Sequence, residues 1–423
     1  MTPAGRIAAA IDLLTAIEAA PTRPADAVAN DFFRGRRFIG SGDRRVVSDR
    51  VWRVLRTWRR LAWWLTDKPT PRLLAAASLL LEGGSLADVM SAFTGGQFAP
   101  AVLAPSEQAS LRRLQGRTLD HASMSVAVRL ELPDWLVPHL SGRYDAADLA
   151  ALLQPAPLDL RVNLLKGTRD DAQTALAVEG LEATATLFSP WGLRIEGRKQ
   201  VTTGAAFRSG LVEIQDEGSQ LVALLVGAQP GMRVADWCAG AGGKTLALAM
   251  VMQNRGQLLA CDVSAARLDG AVRRLRRAGV HNVERHLIEP GDKWAKRRAG
   301  SFDRVLVDAP CTGTGTWRRN PDARLRLTET DLAELLPKQA TIMDQAASLV
   351  RTGGRLVYAT CSLLSEENED QVTAFLDRHP GFALVPLVRA WPGAPPNSGD
   401  TLSLTPARHG TDGFFGAVLE RRA

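Results

Sequence analysis

From about residue 211 onward, short β-branched runs alternate with stretches of helical periodicity. That alternation constrains the fold more than any other feature. The strand candidates are residues 233–237, 257–261, 284–288, 304–307 and 355–358, with a last apolar run at 414–419. Helical stretches such as 265–277 and 332–350 lie between them, the second predicted to kink or restart at Pro337, whose ring removes a backbone donor. Strands alternating with helices pack as a mainly parallel, doubly wound α/β sheet. In such a sheet, ligands and chemistry collect outside the carboxyl ends of the strands.

Two further regions precede this one. Residues 1–130 read as an all-helical domain: Ile7, Ile11, Leu14 and Ile17 share one helical face, as do many of Val47, Val51, Val54, Leu55, Trp58, Leu61 and Leu65, after an N-cap expected at Ser41 or Asp43. Trp58, Trp63 and Trp64 are assigned to its core. Residues 94–114 lose periodicity, gain Gly, Pro, Ala and Ser, and are expected to be a linker. Residues 131–210 form a small α+β module, with strands expected at 158–164 and 193–195 and a helix at 170–178, and 211–423 form the sheet domain.

The net charge of +7 favours an anionic partner. Twelve arginines face six acids within residues 1–60, and Arg34, Arg36, Arg37, Arg44 and Arg45 bracket a Gly-Ser-Gly turn, a solvated face or a phosphate-binding patch. The longest largely apolar run, Leu73 to Leu81, is far short of the ~20 residues of a membrane span. A soluble cytoplasmic protein is expected. The four cysteines show no C-x-x-C spacing, so no metal site is expected, and they read as free thiols.

The first strand candidate runs into Asp236-Trp237-Cys238-Ala239-Gly240-Ala241-Gly242-Gly243-Lys244-Thr245. A phosphate-binding P-loop needs glycine where Cys238 stands, and the dinucleotide fingerprint needs one at Thr245, so both fail. What remains is a tight turn that admits a ligand close to the backbone. Asp262 ends the second strand and suits the two hydroxyls of a ribose. With Asp236 and Asp308 it makes an acidic rim, poor for pyrophosphate. The rim suits S-adenosylmethionine, which carries a sulfonium and an ammonium and no phosphate.

Two cysteine segments complete the pattern. Val307-Asp308-Ala309-Pro310-Cys311 and Tyr358-Ala359-Thr360-Cys361-Ser362 each follow an apolar strand. Two thiols emerging at strand ends can meet despite fifty residues of separation. A thiol pair beside an acid fits addition to a pyrimidine: one sulfur attacks C6, an acid attends N3 or the exocyclic group, and a base removes the C5 proton. Cys238 and Cys261 read mainly as small buried hydrophobes. Basic runs expected to meet RNA phosphates are Arg273, Arg274, Arg276 and Arg277, alternatively only a solvated helix face; Lys293, Lys296, Arg297 and Arg298; and Arg318, Arg319, Arg324 and Arg326, the last expected nearest the chemistry.

Arg161-Val162-Asn163, Gln215-Asp216-Glu217-Gly218-Ser219, the glycine loop, Asp308-Ala309-Pro310-Cys311, Thr360-Cys361-Ser362 and Asp412-Gly413-Phe414-Phe415 resemble the RsmB/Sun-type (Nol/Nop) RNA cytosine-5 methyltransferases. The resemblance runs from about residue 155 to 419 and implies a Rossmann-like class I methyltransferase sheet. It implies S-adenosylmethionine as cofactor, Cys361 as nucleophile, Cys311 as the thiol assisting release, and Asp308 touching cofactor or base. The cofactor set it implies is Cys238, Ala239, Gly240, Ala241, Gly242, Gly243, Lys244, Asp262, Arg267 and Asp308, with Glu289, or alternatively Asp292, on the adenine side. Gly240-Ala241 replaces the family's usual Ala-Pro. Residues 1–130 are similar to the family's NusB-like RNA-binding domain. The expected substrate is a cytidine of 16S ribosomal RNA, methylated through a covalent Cys–C6 adduct. The alternatives are transfer RNA, DNA cytosine-5 methylation with the thiol roles exchanged, and a non-catalytic RNA-binding assembly factor. Oligomeric state is left open.

Overall fold

The computed structural model describes residues 1–65, 69–197, 199–289 and 291–422. They form two compact units: Met1–Leu153 with Trp317–Glu329, and Gln154–Thr316 with Thr330–Ala423.

The first unit is helical, built on Pro3–Glu18, Ala25–Gly35, Ser41–Arg56, Trp58–Leu65, Pro71–Leu81, Leu86–Ala92 and Pro105–Leu114. Its core joins Leu13, Leu14, Val47, Val51, Leu55, Leu61 and Leu74, with the small side chains of Ala75, Ala76 and Ala77 admitting neighbouring helices closely. Pro71–Leu81 starts sharply because Thr70 caps it, its hydroxyl accepting from the Leu73 amide, and Pro71 needs no donor in the first turn. Trp58 and Trp64 pack on this core, and the Trp64 indole donates to the Leu119 carbonyl at 2.9 Å.

Two expectations are corrected here. Half of the expected linker is the helix Pro105–Leu114, whose Leu111 and Leu114 are buried and whose Glu107 accepts from the Ala104 amide. Only two leucines point inward, too few to show as periodicity. The N-cap before Ser41–Arg56 is Gly40 rather than Ser41 or Asp43; Asp43 instead pairs with Arg6 at 2.7 Å.

In the second unit, β1 (Leu158–Val162), β2 (Thr184–Ala185), β3 (Gly192–Ile195) and β4 (Val212–Ile214) form an antiparallel sheet in the order β2-β3-β1-β4. The period of two in β1 sends Leu160 and Val162 into an apolar core with Leu176 and Leu193. Asp159 and Arg161 alternate with them and are also buried. The strand stops at Val162, short of the expected residue 164, because the Asn163 side-chain oxygen accepts from the Leu165 amide and turns the chain.

The larger sheet holds β5 (Arg233–Asp236), β6 (Gln257–Asp262), β7 (Val283–Leu287), β8 (Phe302–Asp308), β9 (Val350–Thr360), β10 (Phe382–Val385), β11 (Leu402–Leu404) and β12 (Phe414–Arg421). The order is β10-β12-β9-β8-β5-β6-β7, with β11 also on β12. The five strands β9-β8-β5-β6-β7 are parallel, and β12 adds antiparallel to β9. Their buried faces read as continuous apolar runs such as Val305-Leu306-Val307, as expected of strands covered on both sides. The helix Glu329–Ala347 runs unbroken past Pro337 and ends three residues before β9, correcting both the expected restart and its expected end at 350. No helix among the described residues is long and apolar enough to cross a membrane.

Because β5 leads to β6 on one side and β8 lies on the other, the chain switches direction beside β5. Asp236, Asp262, Asp308 and Thr360 all close parallel strands at the same edge of the sheet.

Candidate active site

The glycine loop turns directly out of β5. Gly240 and Gly242 have φ of 54° and 79°, a region that side chains with a Cβ avoid. The Ala239 amide donates to the Cys261 carbonyl and the Gly240 amide to Asp262 Oδ2, at 2.9 and 2.8 Å. Asp262 Oδ1 accepts from the Ser264 amide at 2.8 Å. A Cβ placed on Gly240 would meet nothing within 4 Å, so open space lies over the turn. Asp236 is fully buried; its Oδ2 accepts from Thr245 Oγ1 at 2.7 Å, and its Oδ1 has no partner among the described residues. Burial pushes its carboxyl up to about 7. A turn with space above it, an orphaned buried carboxylate oxygen and a carboxylate closing the next strand fit a cationic nucleoside such as S-adenosylmethionine.

Beyond the turn, Lys244 Nζ meets Asp308 Oδ2 at 2.6 Å and stands 5.4 Å from the centre of the Phe414 ring. Next to Asp308, the sulfurs of Cys311 and Cys361 lie 3.5 Å apart, both half-buried. The Cys311 thiol is held well above its ordinary value, first by its hydrogen bond to Cys361, then by burial and by the charges of Cys361 and Glu367. The Cys361 carbonyl accepts from the Gly315 amide at 2.9 Å. Gly315 and Gly413 meet backbone to backbone: the Gly413 amide donates to the Gly315 carbonyl, and a Cβ on Gly315 would strike the Gly413 carbonyl oxygen at 2.3 Å.

A polar cluster underlies the two thiol loops. Glu367 is fully buried and accepts from the Thr312 amide at 2.8 Å, from Thr312 Oγ1 at 2.5 Å and from Gln339 Nε2 at 2.9 Å. Gln339 Nε2 also donates to the Pro310 carbonyl at 3.0 Å. Ser362 Oγ lies 3.3 Å from Thr312 Oγ1 and 3.2 Å from Thr314 Oγ1. Sequence reasoning missed Gln339, Thr312 and Thr314, and reads Glu367 only as one of a run of acids, with Glu366, Glu369 and Asp370, that opposes a thiolate at Cys361. The only signal was the acidic run after Cys361, which reads as a charged helix start; that segment is a 3₁₀ turn, Ser365–Glu367, before the helix Glu369–Arg378.

The remaining expected site residues divide clearly. Ala239 is buried in the turn, while Cys238 is half-buried and burial raises its thiol. Cys261 is sealed in the core. Arg267 is exposed, its backbone amide donating to Ser264 Oγ at 3.4 Å. Glu289 is exposed, whereas the Asp292 carboxylate is committed to His286 and the Trp294 amide, both at 2.7 Å.

The basic runs are reassigned. Arg318 and Arg324 are buried in the helical unit, where Arg324 donates to the Arg56 carbonyl at 2.8 Å, and Arg326 pairs with Asp322 at 2.8 Å. These arginines hold a fold together and are not free for phosphates. Arg274 donates to the Ala241 carbonyl at 2.7 Å and Arg277 pairs with Glu213 at 2.5 Å, so both brace the unit. Arg273, Arg276, Lys293, Lys296 and Arg297 are exposed. Arg161 donates to Gln215 and to the Gly243 carbonyl, the latter at 2.8 Å, lashing the four-stranded sheet to the glycine turn. Asn163 does the same through the Gly210 and Ala278 carbonyls, both at 2.9 Å.

This sheet, turn and carboxylate set define a Rossmann-like S-adenosylmethionine-dependent methyltransferase. The chain belongs to the RsmB/F family of ribosomal RNA methyltransferases. The family described as 16S rRNA methyltransferase RsmB/F matches residues 223–420, and the RsmF/B-like ferredoxin-like domain matches 132–202. The probable ribosomal RNA small subunit methyltransferase B of Synechocystis sp. is 36% identical over 318 residues, covering 73% of this chain and 71% of that protein. The ribosomal RNA small subunit methyltransferase B of Salmonella newport is 34% identical over 314 residues, 73% of this chain and 70% of its own. The crystal structure of PH0851 superposes with a TM-score of 0.79 and 27% identity, covering 100% of this chain and 99% of that one. The protein is therefore an S-adenosylmethionine-dependent RNA methyltransferase.

Proposed function

We propose that this enzyme methylates C5 of a cytidine in 16S ribosomal RNA through a transient bond between Cys361 and C6. The observation that carries this reading is the pair of thiols 3.5 Å apart beside Asp308, at the ends of adjacent parallel strands. Cytosine C5 is a weak nucleophile, and addition of a thiolate at C6 makes it enamine-like. Bound S-adenosylmethionine supplies an electrophilic methyl group on a sulfonium.

Either sulfur can donate across the 3.5 Å contact; we assign the donor to Cys311 S–H, which leaves the negative charge of the pair on Cys361, the attacking atom. The Lys244–Asp308 pair attends the N3 edge, where charge develops as C6 is attacked. Once Cys361 is bonded to carbon it is neutral, and the first cause of the raised Cys311 value is gone. Cys311 then releases its proton to solvent and, as thiolate, accepts the one on C5, while the C5–H electrons re-form the C5–C6 double bond and expel Cys361 as thiolate. This order of events favours Cys361 over Cys311 as nucleophile, against the exchanged roles of the DNA reading. The target base is reached unpaired or flipped out of its stack.

The helical region and the four-stranded module are proposed to hold the surrounding RNA in the cytoplasm, where the thiols stay reduced. Ribosomal RNA is favoured over transfer RNA by the relatives named as small subunit methyltransferases. The test is transfer of labelled methyl from S-adenosylmethionine to undermethylated ribosomal RNA, transfer RNA and DNA. Label at C5 of a 16S cytidine is expected; label confined to transfer RNA or DNA rejects the substrate, and no label on any of them rejects catalysis.

A further inference from the structure

We propose that Glu367 is a positioning residue that fixes the Cys311 loop against Cys361 and assigns the two thiols their unequal roles. The inference rests on the covalent-adduct reading above and adds the residue that enforces it. Its carboxylate reaches the Cys311 loop from beneath. One oxygen accepts from the Thr312 amide and from Gln339 Nε2, the other from Thr312 Oγ1. Through Gln339, the same cluster holds the Pro310 carbonyl on the other side of Cys311. Cys311 is thus fastened at both neighbouring residues. The backbone of Glu367 is fixed in turn, its carbonyl accepting from the buried Tyr358 hydroxyl at 2.7 Å.

A fully buried carboxylate requires a reason, because an uncompensated one is costly. The three donors to Glu367 among the described residues are all neutral groups, and two belong to Thr312, the residue after Cys311. Its negative charge therefore acts on the thiol above it. The titratable groups that interact with Cys311 are Cys361 and Tyr358, on β9 and its following loop, and Glu367. Glu367 opposes ionisation of Cys311, the thiol whose loop it holds. A simple structural buttress would hold the loop without distinguishing the sulfurs.

The experiment compares the full-length protein with E367Q and T312A, without RNA or cofactor, by iodoacetamide alkylation across a pH series. Peptide mass spectrometry reads Cys311 and Cys361 separately. In the wild type, Cys361 is expected to react first. In E367Q, the pH at which Cys311 becomes reactive should fall by about one unit and the preference for Cys361 should collapse. Turnover should drop by roughly tenfold or more while KM for RNA changes less than about twofold. T312A, which loses one of the three donors, should shift Cys311 in the same direction by less. It carries the test if E367Q does not fold. An unchanged Cys311 profile in folded E367Q, or in T312A if E367Q fails to fold, overturns the proposal whatever the turnover. Failure of the adduct reading itself is recognised separately, by RNA trapping on C361A.

Discussion

Lys244 and Asp308, sixty-four residues apart in sequence, meet at 2.6 Å where the glycine turn faces the end of β8. The pair ties the helix that opens from the glycine turn to the end of β8. Lys244 is pushed down by burial but raised on balance by Asp308, so it stays charged. Breaking the pair should cost catalysis before it costs folding. D308N and K244M are each expected to lower kcat/KM for RNA by ~10²–10³-fold. Activity within about threefold of wild type in either variant would place the pair outside the chemistry.

The thiol roles predict opposite phenotypes. C361A should lose methyl transfer by at least about 10³-fold and form no covalent complex with RNA. C311A should accumulate a denaturation-resistant protein–RNA adduct, because addition proceeds and elimination stalls. Gel electrophoresis under denaturing conditions reads both. An adduct kept in C361A and lost in C311A reverses the assignment.

Asp236 makes stability depend on pH in a defined direction. Its carboxyl is raised from 3.8 to about 7 by burial. Between those values the folded chain binds a proton that the unfolded chain has released. Its contribution is therefore complete below pH ~4 and is lost as pH rises through about 7, with a slope of up to ~1.4 kcal/mol per pH unit. Urea unfolding of the wild type and of D236N, without cofactor, should show the difference between them shrinking or reversing over that window and then flat. A difference independent of pH from 4 to 8 would refute the assignment.

Arg161 should act through stability and cofactor affinity together. Its guanidinium is buried and spans Gln215 and the Gly243 carbonyl. R161M keeps the apolar stem and removes the donors, leaving the Gly243 carbonyl short of a partner. A loss of about 2–4 kcal/mol is expected in denaturant unfolding, with weaker S-adenosylmethionine binding by calorimetry. R161M with wild-type stability and affinity would show the lashing to be dispensable.

RNA affinity should fall steeply with added salt. Charge reversal at the exposed Arg273 and Arg276 should weaken binding and flatten the salt slope without changing the unfolding midpoint. Salt-independent binding would count against phosphate contacts altogether.

The sheet, the glycine turn and the meeting of the two thiols were legible because each has a local signature. β-Branched runs, glycines with positive φ and a cysteine just past a strand end are written in a few consecutive residues. Glu367 was not legible, because its meaning comes from Thr312, fifty-five residues away, and Gln339. The arginines at 318–326 misled for the same reason. Charge in sequence suggests solvent, and burial of Arg324 against the Leu55 and Arg56 carbonyls depends on a helix more than two hundred residues earlier. β10 and β11 escaped because three or four residues against β12 carry too little pattern. Pro337 was overweighted: one missing donor does not end a helix of 19 residues that packs Leu332, Gln339 and Met343 inward.

Trp317–Glu329 follows the Cys311 loop in sequence yet belongs to the helical body, with the Asp322 carboxylate accepting from the Ala25 amide at 3.0 Å. The amino-terminal third is therefore not a detachable accessory. A chain shortened to begin after residue 153 would keep every residue of the proposed reaction centre, but it would leave Arg324 a cation without the Leu55 and Arg56 carbonyls that receive it. The helical body thus takes thirteen of its residues from within the sequence of the sheet domain, so a helical body exchanged at residue 153 alone would be exchanged incompletely.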